Sequence, residues 1–306
     1  MNSETPKISV VMPAYNAATF VADAVNSILA QSFAGFELIV VEDGSTDATR
    51  EVLKSFTDPR IAVVANPANL GEAGAFNIGL ALAHGEFVAR FDADDIAEPN
   101  RLELQLAFMT AHPEITVCGS DGECFGEITG PTGVPETDAD IKANFMAGMS
   151  NIVNPTAVIR RKFLTDTGVR ANPNYRTACD LGFWIECMRK GAVFANIKQT
   201  LIRYRTNARN FGGEFNPARR EILTQLAGEF FPALSRSEAA ALSRIFFLGE
   251  PMAMSFAEIR RTLAACEKAL GEGTSYYGEN RDLLRQHVTN YSQAFLKMMK
   301  APAPRN

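Results

Sequence analysis

Residues 8–45 read ISVVMPAYNAATFVADAVNSILAQSFAGFELIVVEDGS. The stretch opens with ISVVM (8–12), a short apolar run rich in β-branched residues, which Pro13 interrupts. From Phe20 the period changes: Phe20, Ala24 and Ile28, with Ala17 one turn earlier and the polar Gln31 continuing the row, fall at helical spacing. ELIVVE (37–42) then returns to strand composition before Asp43-Gly44 supplies a turn. Strand, helix and strand joined by short loops predict two parallel strands with a right-handed crossover.

Reading outward, the unit repeats. DGSTDATREVLKSF (43–56) predicts a turn followed by a helix, with Ser45, Thr46 or Asp47 as its cap. IAVVAN (61–66) predicts a third strand, GEAGAFNIGLALAH (71–84) a helix with two internal glycines, and EFVARF (86–91) a fourth strand. Such an alternation predicts an α/β fold, a mostly parallel central sheet with helices on both faces. In sheets of this kind ligands sit at the carboxyl ends of the strands. The loops after strands one, two and four are PAYN, EDGSTD and DADD. Polar groups far apart in sequence are therefore expected on one rim of the sheet.

The last of these loops sets Asp92, Asp94 and Asp95 within four positions. Like charges this close repel unless a cation joins them. Asp92 and Asp94 are expected to face a common point, and oxygen donors suit Mg2+ or Mn2+, which keep positions for substrate phosphates. Asp95 is read as a helix cap or a surface residue. A solvated acidic loop is the competing reading of the tripeptide. There is no G-x-G-x-x-G after the first strand and no G-x-x-x-x-G-K-[ST] anywhere, so dinucleotide and P-loop sites fall away.

Composition narrows the class. The chain has 306 residues, 46% of them hydrophobic and 21% charged, as expected of a folded soluble protein, and its net charge of -5 argues against a nucleic-acid partner. Five cysteines without a C-x-x-C pair are expected to be reduced thiols, and three scattered histidines offer no zinc pattern. MNSETPKISVVMPAYN shows no secretory leader, and no stretch reaches the roughly 20 apolar residues that cross a bilayer.

Beyond residue 111 the strand–helix alternation loosens. ITVCGSDGECFGEITGP (115–131) predicts short strands and a turn, DADIKANFMAG (138–148) a helix, and PTAVIRRKFLTDTG (155–168) a strand running into a helix. DLGFWIECMRKG (180–191) predicts an amphipathic helix with Asp180 at its N-terminus; AVFANI and LIRYR predict strands. From 213 the chain is mostly helical, ending in a helix that sets Leu284, Val288, Tyr291, Phe295 and Met298 on one face.

ISVVMPAYNAATFVADAVNSILAQSFAGFELIVVEDGSTDAT, followed by NLGEAGAFNIGLALAHGEFVARFDADDIAEPNRLE, resembles the inverting glycosyltransferases of family 2. The resemblance is close over 7–110 and looser to about 205. It implies the GT-A fold, with a catalytic domain over 1–212 (1–110 holding the nucleotide sugar, 111–212 the acceptor) and a helical C-terminal extension over 213–306. By position, Pro13, Ala14 and Tyr15 match the loop that touches the nucleoside, and Asp43 the residue that bonds the uracil ring. Asp92, Ala93 and Asp94 match D-x-D: Asp94 is the implied direct metal ligand, and Asp92 a ribose or second metal contact. Asn77 falls in the nucleotide-sugar set, and Asp180 is the implied catalytic base. The chain departs from the family pattern at three positions. Cys179 stands where relatives often have Glu, Phe76 where they often have Arg, and Glu42 replaces a frequent Asp.

The resemblance implies a metal-dependent inverting transfer, with Mn2+ or Mg2+, from a nucleotide sugar (a UDP-sugar by expectation) to a saccharide or lipid-linked hydroxyl in cell-surface polysaccharide synthesis. The expected location is cytoplasmic; the C-terminal helix is expected to pack against the catalytic domain, with peripheral contact to the inner face of the membrane as the alternative. The rivals are a non-catalytic saccharide-binding or scaffold protein on a decayed GT-A fold and a sugar nucleotidyltransferase, which lacks support for want of a G-x-G-T-R loop. Weaker candidates are Arg160 and Arg161 as acceptor or phosphate contacts, Trp184 as a sugar subsite, and Arg203, Arg205 and Arg209 with Tyr204 as a cationic flap, with Asn207 expected on the same strand face as the first two arginines.

Overall fold

The computed structural model describes residues 5–148, 151–206, 217–247 and 254–300. In chain order it contains β1 (Ile8–Ala14), α1 (Val21–Leu29), β2 (Phe36–Glu42), α2 (Thr49–Lys54), β3 (Ile61–Ala65), α3 (Gly71–Leu82), β4 (Phe87–Arg90), β5 (Ile96–Ala97) and α4 (Arg101–Ala111). There follow β6 (Val117–Gly126), β7 (Gly130–Pro131), α5 (Asp138–Phe145), β8 (Val158–Arg160), α6 (Arg161–Thr167), α7 (Cys179–Arg189) and β9 (Phe194–Thr206). The remaining helices are α8 (Pro217–Phe230), α9 (Arg236–Ser243), α10 (Phe256–Gly271) and α11 (Arg281–Lys300).

The strands form one sheet in the order β3-β2-β1-β4-β8-β6-β9-β5, with β7 on β6. From β3 to β4 every pairing is parallel. Beyond β4 the sheet is mixed: β8 runs antiparallel to both neighbours and β9 parallel to β6. Register makes the carboxyl ends level, since Ala14 pairs with Glu42 and Glu42 with Ala65. The first loop residues of adjacent strands therefore emerge side by side.

Both faces of the parallel half are covered. Val21, Ala24, Val25 and Ile28 of α1 are buried in one cluster with Val10, Met12, Leu38 and Val40. On the other face α3 lies so close that a Cβ on Gly79 would sit 2.4 Å from Val11 Cγ1. That close approach is why glycine stands inside this helix. Gln31 continues the predicted stripe but lies past the end of α1, where its side chain donates to the Ser27 and Glu98 carbonyls.

Two further differences have local causes. The expected strands AVFANI and LIRYR are one strand, β9, whose pairing with β6 is irregular opposite Ser120–Gly122. The polar stretch at 198–200 marks that irregularity, not a chain break. Trp184 is completely buried against Phe183, with ring centroids 4.9 Å apart, so it belongs to the core and not to a sugar subsite.

The described residues divide into two compact units. The sheet, its helices and residues 151–206 make the first; 138–148 and the helices from α8 onward make the second. The sequence reading assigned α5 to the catalytic domain, but α5 packs on α11, with Asn280 Nδ2 donating to Asp140 Oδ1 at 2.7 Å. Ser235 and Ser255 begin α9 and α10 with reciprocal capping boxes to Glu238 and Glu258. Leu284, Val288 and Phe295 of α11 are buried as their spacing predicts, and Tyr291 packs on Phe246. The expected boundary at 212/213 lies outside the described residues, as do Asn207, Arg209 and Arg305. Among the described residues no helix is long and apolar enough to cross a membrane.

Candidate active site

The loops leaving β1 and β2 are laced together. Asn16 adopts left-handed backbone (φ 49°), and its Oδ1 accepts from the Thr46 N–H at 2.9 Å. The N–H groups of Asn16, Ala17 and Ala18 donate to Ser45 Oγ, Thr49 Oγ1 and Asp47 Oδ2. The side chains expected to cap a helix from 43 onward are thus used across the loop, and α2 begins only at Thr49. Asp47 Oδ1 still accepts from the Thr49 N–H at 3.0 Å.

Asp43 follows β2 and is 2% exposed. Its carboxylate accepts from Asn66 Nδ2 at 2.7 Å and from the backbone N–H groups of Leu70 and Gly71, which open α3. The turn needs Gly44, whose φ of +70° and 2.8 Å approach of a Cβ to the Ala68 backbone exclude a side chain. A carboxylate has about four acceptor positions, so three donors leave room for one more from a ligand.

The rim encloses an open cleft of about 930 Å³ bordered by Pro13, Ala14, Tyr15, Asp43, Asp92, Ala93, Asp94 and Asp180. Residues proposed from four separated parts of the sequence therefore share one space, whose size is that of a small-molecule site. Tyr15 stands 48% exposed at the edge. Phe20, Tyr204 and Arg205 complete one side; Gly71, Glu72, Asn154 and Cys179 complete another.

Asn77 is not brought to the cleft. Its side-chain amide is taken up by Ala171, donating to the carbonyl at 2.8 Å and accepting from the N–H at 3.0 Å. Asp95 is neither cap nor surface residue: it is fully buried, and Oδ1 accepts from the Arg205 N–H at 2.6 Å. Arg160 and Arg161 also lie elsewhere, donating to carbonyls of Ile115, Met109 and His112, and of Gly85. Arg203 and Arg205 share one face of β9, both stacking on Phe125. Arg205 also covers Phe20 and donates Nε–H to the Asp94 carbonyl at 2.8 Å.

The electrostatics are those of excess negative charge. Burial, then the charges of Glu72, Asp94 and Asp180, push Asp92 up to about 8 against the pull of Arg90. Burial raises Asp94, with Glu72 adding to it, and raises Asp180, where the Glu72 charge is the next cause. Asp180 opens α7 and accepts from the Leu181 N–H at 2.7 Å. Among the described residues no group of three or more His, Cys, Asp or Glu side chains is arranged to hold a metal ion. Asp92 and Asp94 both border the cleft, and two carboxylates there would offer a divalent ion a partial set of oxygen donors. That partial donor set suits Mg2+ or Mn2+, which complete their shells with water and phosphate oxygens.

Glu72, Arg90 and Asn154 were not singled out by sequence. Arg90 Nη2 donates to Glu72 Oε1 at 2.8 Å, and Asn154 Nδ2 donates to the same oxygen at 3.0 Å. The signal for Glu72 was the strand-end rule applied to the third strand, whose following loop runs into NLGE. Arg90 had no such signal, because it lies within a strand and is 2% exposed.

Residues 9–167 match Glycosyl transferase family 2, and the chain belongs to that family. TuaG of Bacillus subtilis (strain 168), a putative teichuronic acid biosynthesis glycosyltransferase, is 34% identical over 214 residues, covering 67% of this chain and 81% of its own. S. aureus TarS 1-349, solved in complex with UDP-GlcNAc, has a similar structure (TM-score 0.65, 17% identity, 95% of this chain and 92% of that one). So does the mannosyltransferase PcManGT from Pyrobaculum calidifontis in complex with GDP-Man and Mn2+ (TM-score 0.57, 15% identity, 98% and 89%). The curled mixed sheet is the GT-A fold, and the protein is a glycosyltransferase.

Proposed function

We propose that the protein transfers a sugar, with inversion, from a UDP-sugar to a saccharide or lipid-linked hydroxyl, in the synthesis of a surface polysaccharide at the cytoplasmic face of a membrane. The observation that supports this most is the meeting of Asp43, Asp92, Asp94 and Asp180 in one cleft. Tyr15 offers a ring for a base to stack on, and Asp43 an acceptor for a base N–H. Asp94, with Asp92, would hold a divalent ion, which supplies charge for the departing nucleoside diphosphate. Asp180 would accept the proton of the acceptor hydroxyl as it attacks the anomeric carbon, and one displacement inverts that centre. Its position in the first turn of α7 lets the helix dipole favour the ionised base. The teichuronic acid relative supports the polymer class, and the UDP-GlcNAc and Mn2+ complexes of structural neighbours support the donor and the ion.

The test is UDP release from a panel of UDP-sugars with Mn2+. Wild type is expected to turn over at least one donor. Asp180→Asn should lose about 10²- to 10⁴-fold in kcat, the range for a general base. Asp94→Ala should lose the Mn2+ dependence of nucleotide binding. Failure of every nucleotide sugar to bind, with or without metal, overturns the reading.

A further inference from the structure

We propose that Glu72 is a positioning residue of the transfer reaction, supplying from α3 the carboxylate that the family pattern supplies from position 179. The inference rests on the glycosyltransferase reading above and deepens it.

Three elements meet on this one side chain, besides its own helix. Oε1 accepts from Arg90 Nη2 of β4 at 2.8 Å and from Asn154 Nδ2, in the turn before β8, at 3.0 Å. On Oε2 the Cys179 thiol of α7 donates at 3.6 Å, one residue before the proposed base. Burial holds that thiol protonated, so it is a donor and not a second anion. Glu72 thus ties the helix bearing Asp180 to the strand that leads into Asp92 and Asp94.

Two of the three departures from the family pattern flank this ion pair. The guanidinium of Arg90 lies 4.1 Å from the centre of the Phe76 ring, and Cys179 touches the carboxylate. Where the resemblance leads one to expect Arg and Glu, this chain has an aromatic ring and a thiol, and an arginine and a glutamate stand beside them in space. Arg90 is almost wholly buried among Phe76, Phe183 and Trp184, and among the described residues its Nη1 has no hydrogen-bond partner. Among the described residues its one ion-pair partner is Glu72, whose side chain is 44% exposed. Removing that partner leaves a buried cation to turn toward Asp180, whose charge it already feels, and so displaces the group that takes the proton.

The full chain is assayed with whichever of UDP-GlcNAc, UDP-glucose and GDP-mannose the wild type turns over fastest, following nucleotide release and, separately, binding of the matching nucleoside diphosphate. Glu72→Gln is expected to lower kcat by about 100-fold, the scale of a small misplacement of reacting groups, with donor KM and nucleotide affinity within about 3-fold. The pair Glu72→Ala with Cys179→Glu, which grows a carboxylate back toward the same point, is expected to recover about 10-fold or more of the kcat lost by Glu72→Ala. Glu72→Gln turning over like wild type overturns the inference. So does a loss confined to donor KM, or a double variant no better than Glu72→Ala. In those cases an active wild type leaves the glycosyltransferase reading standing, whereas a wild type that neither binds nor turns over any nucleotide sugar, with or without metal, removes both.

Discussion

At the residue scale, the carboxylates of the cleft differ in what they do because their surroundings differ. Asp43 is held by the Asn66 amide and by two backbone donors at the start of α3, so it is an anchor with one acceptor position to spare. Asp180 is pushed up by burial and by Glu72, which makes it a stronger base than an ordinary carboxylate. The acid limb of the kcat–pH profile is therefore expected to lie above the normal Asp range, and to be absent from the residual activity of Asp180→Asn. Asp92 gives a second prediction, with its sign set by linkage. Its folded pKa of about 8 exceeds the value of 3.8 for an unperturbed Asp. The folded state binds the extra proton, so this contribution to stability is full below the unfolded pKa and is lost as pH rises through 8. A divalent ion held by Asp92 and Asp94, as proposed above, would replace that proton. Mn2+ is thus expected to raise Tm more at pH 8 than at pH 5, and the difference should vanish in Asp92→Asn. Equal shifts at both pH values would contradict it.

At the element scale, the parallel half of the sheet sets the rim, and two contacts set its depth. One is the lacing of the β1 and β2 loops through Asn16, Ser45, Asp47 and Thr49; the other is the seating of α3 on β1. Gly79→Val is expected to destabilise the fold by about 1–3 kcal/mol through overpacking against Val11, measured by denaturant unfolding. Because α3 bears Glu72 and its first turn holds Asp43, the same variant should also weaken binding of UDP, measured by calorimetry.

At the scale of the whole molecule, the second unit is discontinuous in sequence. Residues 138–148 lie in the middle of the chain, yet α5 packs on α11 and shares hydrogen bonds with the segment before it. A chain cut after residue 206 would keep α5 without its partners, exposing Ile141 and Phe145, which are buried in the full chain. Such a truncation is expected to aggregate or to bind hydrophobic dyes, as judged by gel filtration and fluorescence. Phe295→Ala, in the partner helix, is expected to cost about 3–5 kcal/mol as a fully buried aromatic.

Periodicity and turn chemistry, which are local, determined the strands and helices of the first hundred residues. They also implied that Pro13, Tyr15, Asp43, Asp92 and Asp94 belong to one rim, because parallel strands must end on the same side. Local patterns do not carry the partners of a side chain. Asn77 fits a binding position by alignment, yet its amide is bonded to Ala171; Asp95 looks like a surface acid, yet it is buried against the Arg205 backbone. Arg90 reads as an awkward residue within a strand until Glu72 and Asn154, 18 and 64 positions away, are brought beside it. The charge balance of the cleft was decided only by the tertiary structure, because Coulomb energy depends on distance and burial, and neither is a property of neighbouring residues along the chain.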